Sequence, residues 1–211
     1  MVSGILFLTL EELLQPMRWV EEIRKNQQPL NSWKGRWPSM TTQFVVGAVG
    51  ESDLELLSTT SYLYKNLRIG RAYYSAFNPV IDTPFQDLPP TSSSRELHLY
   101  QASFLLRDYG FCLEELPFTP TGSLPDQVDP KTAWANLHLN DSPIEINHAS
   151  RHELIRIPGI GIKGASLILN SRRKGRITDL EDLRKIGINP SRAKPYILLN
   201  GKRPEMQLTF W

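Results

Sequence analysis

Two closely spaced glycines, Gly159 and Gly161, carry the clearest chemical signal in the sequence, because they lie between two predicted helices. Pro158 precedes them, Ile160 separates them, and Lys163 follows two residues later. Glycine permits the positive φ of a tight turn, and without a side chain it leaves the backbone N–H groups accessible. N–H groups at a helix start, backed by the positive end of the helix dipole, bind anions. The pattern therefore predicts an anion site made of backbone amides.

The predicted anion site needs a helix on each side of the turn. Ser150 and Glu153 have the spacing of a capping box that opens the first helix, and a proline ends it. The second helix is predicted from about residue 163 to residue 173. Ile160 is expected to plug the cleft between the two helices, and the small side chain of Ala165 lets them approach closely. The amides of the turn should then point outward.

A second, degenerate copy of the same pattern follows. A helix capped at Thr178 is predicted to lead into a hairpin at residues 185–189, and a last helix is predicted over residues 191–199. This copy has one hairpin glycine, Gly187, and Pro195 lies inside its last helix. These departures leave a purely structural role open for the second hairpin.

Charge is unevenly distributed along the chain. The formal net charge is +2, but residues 144–203 hold 13 Lys and Arg against 5 Asp and Glu, while the remainder holds 11 against 17. Compact basic units often bind polyanions, because each cation placed on a phosphate releases a condensed counterion. The alternative is a solvated helical face.

The stretch LIRIPGIG at residues 154–161, with Ala165 and Ile168, closely resembles the helix-hairpin-helix motif of non-sequence-specific DNA-binding proteins. The resemblance implies contacts with phosphate and sugar rather than with bases, with DNA as the partner and RNA left open. It also leaves open a monovalent cation at the hairpin. An αα-corner or a protein-interaction unit would have the same glycine turn; the duplication and the positive charge favour nucleic acid. The expected DNA-binding residues are Pro158, Gly159, Ile160, Gly161, Ile162, Lys163, Gly164, Arg172, Arg173, Gly187, Ile188, Asn189, Ser191 and Arg192.

The N-terminal half reads as a strand–helix–strand unit. The apolar run at residues 44–49 predicts a strand buried on both faces, which Gly50 ends. Ser52 and Glu55 form a capping box for the following helix, and residues 71–77 predict a second strand. A crossover of this length implies two parallel strands and an α/β fold.

The middle of the chain holds two more predicted helices among many prolines. One runs over residues 95–109, with Ser93 and Glu96 at capping-box spacing, and the other over residues 130–137, with Asp129 as its N-cap. The predicted fold class is α/β followed by an all-α tandem helix-hairpin-helix module. The predicted units are a partial α/β region at residues 1–115, a proline-rich linker at 116–143, the helix-hairpin-helix unit at 144–203 and a tail at 204–211.

A second resemblance concerns the α/β region. FVVGAVGESD at residues 44–53 is similar to the late strand, Gly-x-x-Gly-Glu turn and helix of radical S-adenosylmethionine enzymes, and residues 73–84 resemble the last barrel strand and its loop. Residues 40–200 together resemble the C-terminal part of a bacterial radical-SAM family linked to DNA modification or repair. The resemblance implies half of a barrel, with Gly47, Gly50 and Glu51 near the cofactor's methionine end. A strand-to-helix turn with a capping acid is the favoured alternative for these three residues.

The chain departs from that family in its cysteines. The family holds a [4Fe–4S] cluster on a Cys-x-x-x-Cys-x-x-Cys loop, whereas Cys112 is the single cysteine here and is expected to be a small buried hydrophobe. We expect no catalytic residue, no metal site and no cofactor in this chain alone. S-adenosylmethionine and the cluster would require another chain. The alternatives are a fragment, half of a split enzyme, or a remnant that kept its DNA-binding tail.

Three further expectations concern partners and location. A partner chain or a second copy is expected to cover the open sheet. The C-terminal peptide Gln207-Leu208-Thr209-Phe210-Trp211 resembles the peptides that dock on the bacterial sliding clamp; the alternative is that it folds back onto the body. No stretch approaches the ~20 apolar residues of a membrane span, and a lone cysteine needs no oxidising compartment, so the cytoplasm is the expected location.

Overall fold

The computed structural model describes residues 9–204, and a parallel strand pair organises its N-terminal part. Helix α1 spans Leu10–Asn26, strand β1 Thr41–Val46, helix α2 Asp53–Asn66 and strand β2 Arg71–Ala76. Thr41 lies opposite Arg71 and Val46 opposite Ala76 in the parallel register. The predicted parallel crossover and the capping box of α2 are both confirmed.

The sheet is covered on one face, so the prediction of a strand buried on both faces is wrong. Val46 and Tyr74 are buried in the core, while Val45, on the opposite face, is 57% exposed. Helix α3 (Ser93–Asp108) packs against β2, and its Leu99 is fully buried. Each sheet within residues 9–204 has two strands, so the half-barrel that the resemblance implied is not formed there.

Helix α3 begins with a different cap from the predicted one. Its N-cap is Ser92, whose hydroxyl accepts a hydrogen bond from the amide of Arg95, so the predicted capping box at Ser93 is wrong. The carboxylate of Glu96 instead accepts the amide of Ala76 at 2.7 Å. The Glu96 side chain, which the capping box would have used, therefore binds the end of strand β2 instead.

Helix α4 (Pro130–His138) lies within the segment predicted to be a linker, and its Asp129 N-cap is confirmed. Trp134 and Ala135 are buried, and the Trp134 ring meets the Phe111 ring edge-on at a centroid distance of 5.3 Å. The segment thus contributes to the core. The division of the chain into domains stays a prediction.

Cys112, predicted to be buried, is exposed. Its neighbour Phe111 occupies the core position instead, and Leu116, five residues beyond Phe111, is buried as well. The cysteine sits between them, at the start of the 3₁₀ helix Leu113–Glu115. The backbone of Cys112 is extended, so adjacent side chains face opposite sides.

The C-terminal part contains helices α5 (Arg151–Arg156), α6 (Ile162–Arg172) and α7 (Leu180–Lys185). The predicted capping box of α5 is present. Helix α7 is capped by Asp179 rather than by Thr178, whose amide and hydroxyl both donate to the carboxylate of Asp182 at 3.0 Å. A capping residue one position later therefore replaces the predicted one.

The last predicted helix, at residues 191–199, is not formed. A turn leads into the 3₁₀ helix Lys194–Tyr196 and strand β4 (Ile197–Leu198), which pairs in parallel with β3 (Ile144–Glu145). Pro195 lacks the N–H group that an α-helix would need, which is one physical reason for the change. The unit is therefore not all-α, because a small strand pair joins its two ends.

None of the helices within residues 9–204 is long and apolar enough to cross a bilayer. The peptide Gln207–Trp211 lies outside the described residues, so its docking role stays a prediction.

Candidate nucleic-acid interface

The first hairpin joins α5 to α6 through a short turn in which the predicted plug is present. Gly159 adopts a φ of +81°, and Gly161 is the N-cap of α6. Ile160 between them is fully buried, as is Ala165 on the following turn of α6. Pro158 is buried as well, so the side chains of Ile160 and Pro158 both pack on the inner side of the turn.

The backbone amides of this turn carry the chemistry. The amide of Ile160 donates to the carbonyl of Ile157 at 3.0 Å, and that of Ala165 to the carbonyl of Gly161 at 2.8 Å. Within the described part of the chain, no hydrogen bond uses the N–H groups of Gly161, Ile162, Lys163 and Gly164. These four donors stand at the positive end of an 11-residue helix, an arrangement that favours an anion.

The two hairpins lie side by side. A Cβ atom at Gly159 would lie 3.1 Å from the Cβ atom of Arg192, and one at Gly164 would lie 3.7 Å from Cδ1 of Ile188. Glycine is therefore needed at Gly159 for close packing as well as for its φ. Gly161 has an ordinary φ of −94°, and a Cβ there would lie 3.3 Å from the hydroxyl oxygen of Tyr109.

The second hairpin offers fewer free donors. Gly187 has a φ of +85°, and its amide donates to the carbonyl of Arg184 at 2.8 Å. The amide of Ile188, whose side chain is buried, donates to the carbonyl of Leu183 at 3.0 Å. The Asn189 side-chain oxygen accepts both the amide and the hydroxyl of the exposed Ser191, at 3.0 and 2.8 Å. More of the backbone amides of this hairpin are already hydrogen-bonded within the protein than is the case in the first hairpin.

The predicted cationic residues are not equivalent. Lys163 and Arg173 are exposed, but Arg172 turns inward and donates to the carbonyls of Ile146 and Ala149 at 3.1 and 2.6 Å. Arg172 and Arg173 also lie at the far end of α6, roughly 15 Å along its axis from the hairpin. The structure therefore does not bring them to the first turn.

Arg192 lies beside the first hairpin, but a neighbouring acid already engages its guanidinium. It forms an ion pair with Asp129 and donates to the hydroxyl of Thr132 at 2.9 Å, while its side chain stays 58% exposed. Its charge faces solvent and is partly neutralised by Asp129.

Two residues outside the predicted unit complete the hairpin. Lys131 of α4 donates from Nζ to the carbonyl oxygen of Ile160 at 2.7 Å, and Nζ lies 4.9 Å from the ring centroid of Tyr109. Burial lowers the pKa of Lys131 to about 7, with Asp129 opposing that shift and Arg192 adding to it. Nothing in the local sequence pattern singles out Lys131, because its partner lies 29 residues away.

Gly47, Gly50 and Glu51 come together in one turn between β1 and α2. Gly47 and Gly50 have φ values of +90° and +80°, and a Cβ at Gly47 would lie 2.0 Å from Oγ1 of Thr91. The Glu51 carboxylate accepts the amide of Gly47, and Arg95 donates to the Glu51 carbonyl at 2.6 Å. These contacts explain the three residues as a capped strand-to-helix turn. The turn borders an open cavity of about 470 Å³.

Within residues 9–204, no group of three or more His, Cys, Asp or Glu side chains is placed to hold a metal ion.

Comparison with known proteins supports the C-terminal assignment. The family model of the helix-hairpin-helix motif matches residues 139–194, which include α5, α6, α7 and both hairpins. No curated protein and no solved structure matches the chain, and no radical-SAM family does. The chain therefore carries a helix-hairpin-helix motif in its C-terminal part, and this motif generally binds nucleic acid.

Proposed function

We propose that this chain binds DNA through the phosphate backbone, without reading base sequence. The observation that carries the proposal is the set of four amides from Gly161 to Gly164 at the half-exposed start of α6, which no hydrogen bond within residues 9–204 uses. A phosphate oxygen accepts such N–H groups well, and the exposed Lys163 adds a cation at the same place. Contacts of this kind position a protein on a duplex without reading its bases.

The charge of the C-terminal part supports a polyanionic ligand. Residues 144–203 hold 13 Lys and Arg against 5 Asp and Glu, and the loop after α6 exposes Arg173, Lys174 and Arg176. Cations spread over a surface bind a phosphate chain by releasing its counterions. A protein-interaction unit would have no need for such an excess.

The cellular setting we propose is DNA modification or repair, and its support is the resemblance of residues 40–200 alone. The same resemblance supports a second candidate, half of a split radical-SAM enzyme whose iron–sulfur part belongs to another chain. Co-expression with a neighbouring reading frame that encodes the three-cysteine loop tests this second candidate. Iron and a brown colour in the purified complex would support it, whereas an iron-free preparation would count against it.

Affinity is measured by the fluorescence anisotropy of short labelled duplexes of unrelated sequence across a series of salt concentrations. A footprint of about four phosphates would make the logarithm of affinity fall with the logarithm of salt at a slope near −3.6. Affinity should therefore drop about 150-fold between 50 and 200 mM salt, equally for all sequences. Binding that ignores salt, or that depends strongly on sequence, would contradict the proposal. A duplex RNA of matched length tests the choice of DNA.

The variant Gly161→Glu tests the hairpin itself. The φ of Gly161 is ordinary and the nearest atom is a tyrosine hydroxyl, so the fold should accept a side chain whose carboxylate repels phosphate. Gln28→Glu is the matched control, because it makes the same charge change at an exposed residue outside the basic C-terminal part. We expect Gly161→Glu to weaken binding at least about tenfold, equivalent to about 1.4 kcal/mol, and Gln28→Glu to weaken it much less. Equal losses would assign the effect to net charge alone.

A further inference from the structure

We propose that Lys131 is a positioning residue of the first hairpin, whose ammonium group holds the carbonyl of Ile160 and takes the place of a monovalent cation there. Lys131 lies on α4, outside the residues 139–194 that match the motif. The inference rests on the proposed DNA binding, and it extends the binding unit into a helix that the motif does not include.

Lys131 fixes the orientation of one peptide group in the hairpin. The carbonyl of Ile160 and the N–H of Gly161 belong to the same planar, trans peptide unit, so they point in opposite directions. Lys131 holds the carbonyl oxygen at 2.7 Å, and this contact aims the Gly161 N–H away from α4. The positive charge of the ammonium group beside the oxygen also polarises the peptide group and strengthens its N–H as a donor.

The carbonyl of Ile160 already has a cationic partner in Lys131. A monovalent cation bound at the hairpin would need carbonyl oxygens as ligands, and the buried turn gives the Ile160 oxygen to an ammonium group of the same charge. The Tyr109 ring, 4.9 Å from Nζ, stabilises that charge further. The hairpin therefore carries its own cation.

The charge state of Lys131 depends on the groups around it. The titratable and charged groups that face Lys131 are Tyr109 after α3, Asp129 at the start of α4 and Arg192 just after the second hairpin, around a cavity of about 190 Å³. Burial brings the pKa of Lys131 to about 7, so both protonation states exist near neutral pH. A phosphate on the hairpin favours the charged state. By linkage, DNA affinity should fall as pH rises through about 7, and bound DNA should raise the pKa of Lys131.

The experiment measures duplex affinity of the full chain in potassium chloride and in tetramethylammonium chloride of equal ionic strength, on both sides of pH 7. The variants are Lys131→Met and, as a control, Lys65→Met, which removes an exposed lysine of α2. Wild type and the control should bind equally in both salts and several-fold more tightly below pH 7. Lys131→Met should bind about tenfold more weakly, lose the pH step near 7 and recover affinity in potassium relative to tetramethylammonium.

Two results would overturn the inference while leaving DNA binding intact. They are an unchanged affinity and pH profile in Lys131→Met, and a wild type that needs potassium. If the wild type did not bind DNA at all, the proposed function would fail instead. NMR of the free protein then tests the Lys131 contact. In a pH titration the Gly161 amide resonance should shift with the same midpoint as the Lys131 ammonium group, and a resonance that does not shift would refute the contact.

Discussion

Replacing Glu115 by alanine should destabilise the protein by leaving a buried cation without its partner. The Arg156 side chain is 9% exposed, and its guanidinium donates to the two Glu115 carboxylate oxygens at 2.6 and 3.1 Å. It also lies 4.3 Å from the Phe111 ring centroid and 5.0 Å from that of Trp134. Breaking a buried pair from one side costs about 3–5 kcal/mol. Because the Glu115 side chain is 32% exposed, solvent reduces this to about 2–3 kcal/mol.

Chemical denaturation followed by tryptophan fluorescence and far-ultraviolet circular dichroism measures this loss. Glu114→Ala is the matched control, since Glu114 is exposed in the same 3₁₀ helix and should change stability by less than about 0.5 kcal/mol. Arg156→Met in the Glu115→Ala background should recover part of the loss, because the isolated charge is then absent. A loss below about 0.5 kcal/mol in Glu115→Ala, with Arg156 still charged, would refute the reasoning.

The same pair predicts a pH dependence. Arg156 lowers the pKa of Glu115 below its ordinary value, so folding favours the ionised carboxylate. The stabilisation should be present above the ordinary pKa of about 4.5 and be lost as pH falls through the lowered value. Glu115→Ala should lack this part of the acid destabilisation, which denaturation at a series of pH values measures.

Three further predictions follow from single positions. If Lys163 contacts one phosphate, Lys163→Ala should make the salt slope of DNA affinity shallower by about 0.9, as measured by anisotropy. The lowered pKa of Lys131 means that the unfolded chain binds more protons between about pH 7 and 10.5, so the free energy of unfolding should rise across that window in wild type and not in Lys131→Met. Gly47→Ala should lower the free energy of unfolding by more than about 1 kcal/mol, because the residue has a φ of +90° and its Cβ would overlap Oγ1 of Thr91; Gly35→Ala, with a φ of +69° in open space, should cost less in the same denaturation assay.

Local physics explains which features could be predicted from the sequence. The capping boxes at Ser52 and Ser150 and the N-cap at Asp129 each depend on residues three positions apart, and all are present. The parallel crossover followed from connection length, and the plug of the first hairpin followed from an apolar residue between two glycines.

Distant partners explain where the sequence reasoning was wrong. Glu96 was expected in a capping box, but the end of strand β2 takes its carboxylate. The last helix of the second copy gives way to a strand because residues 144–145 offer a pairing partner more than 50 positions earlier in the chain. Cys112 is exposed because its neighbour Phe111 occupies the core position, and no local sequence pattern predicts which of the two is buried.

The sequence by itself indicated a basic hairpin with a glycine turn near the C-terminus. Which of its backbone amides are paired is known only from the structure, in which those of Ile160 and Ala165 donate to the carbonyls of Ile157 and Gly161. Only the tertiary structure decided which cations lie at the hairpin. Lys163 is exposed there, Arg172 donates instead to the carbonyls of Ile146 and Ala149, and Lys131 of α4 contacts the hairpin from outside the motif. The reason is physical. A turn's backbone geometry is set by its own residues, whereas the partner of a charged side chain is set by whatever the whole fold brings within hydrogen-bonding distance.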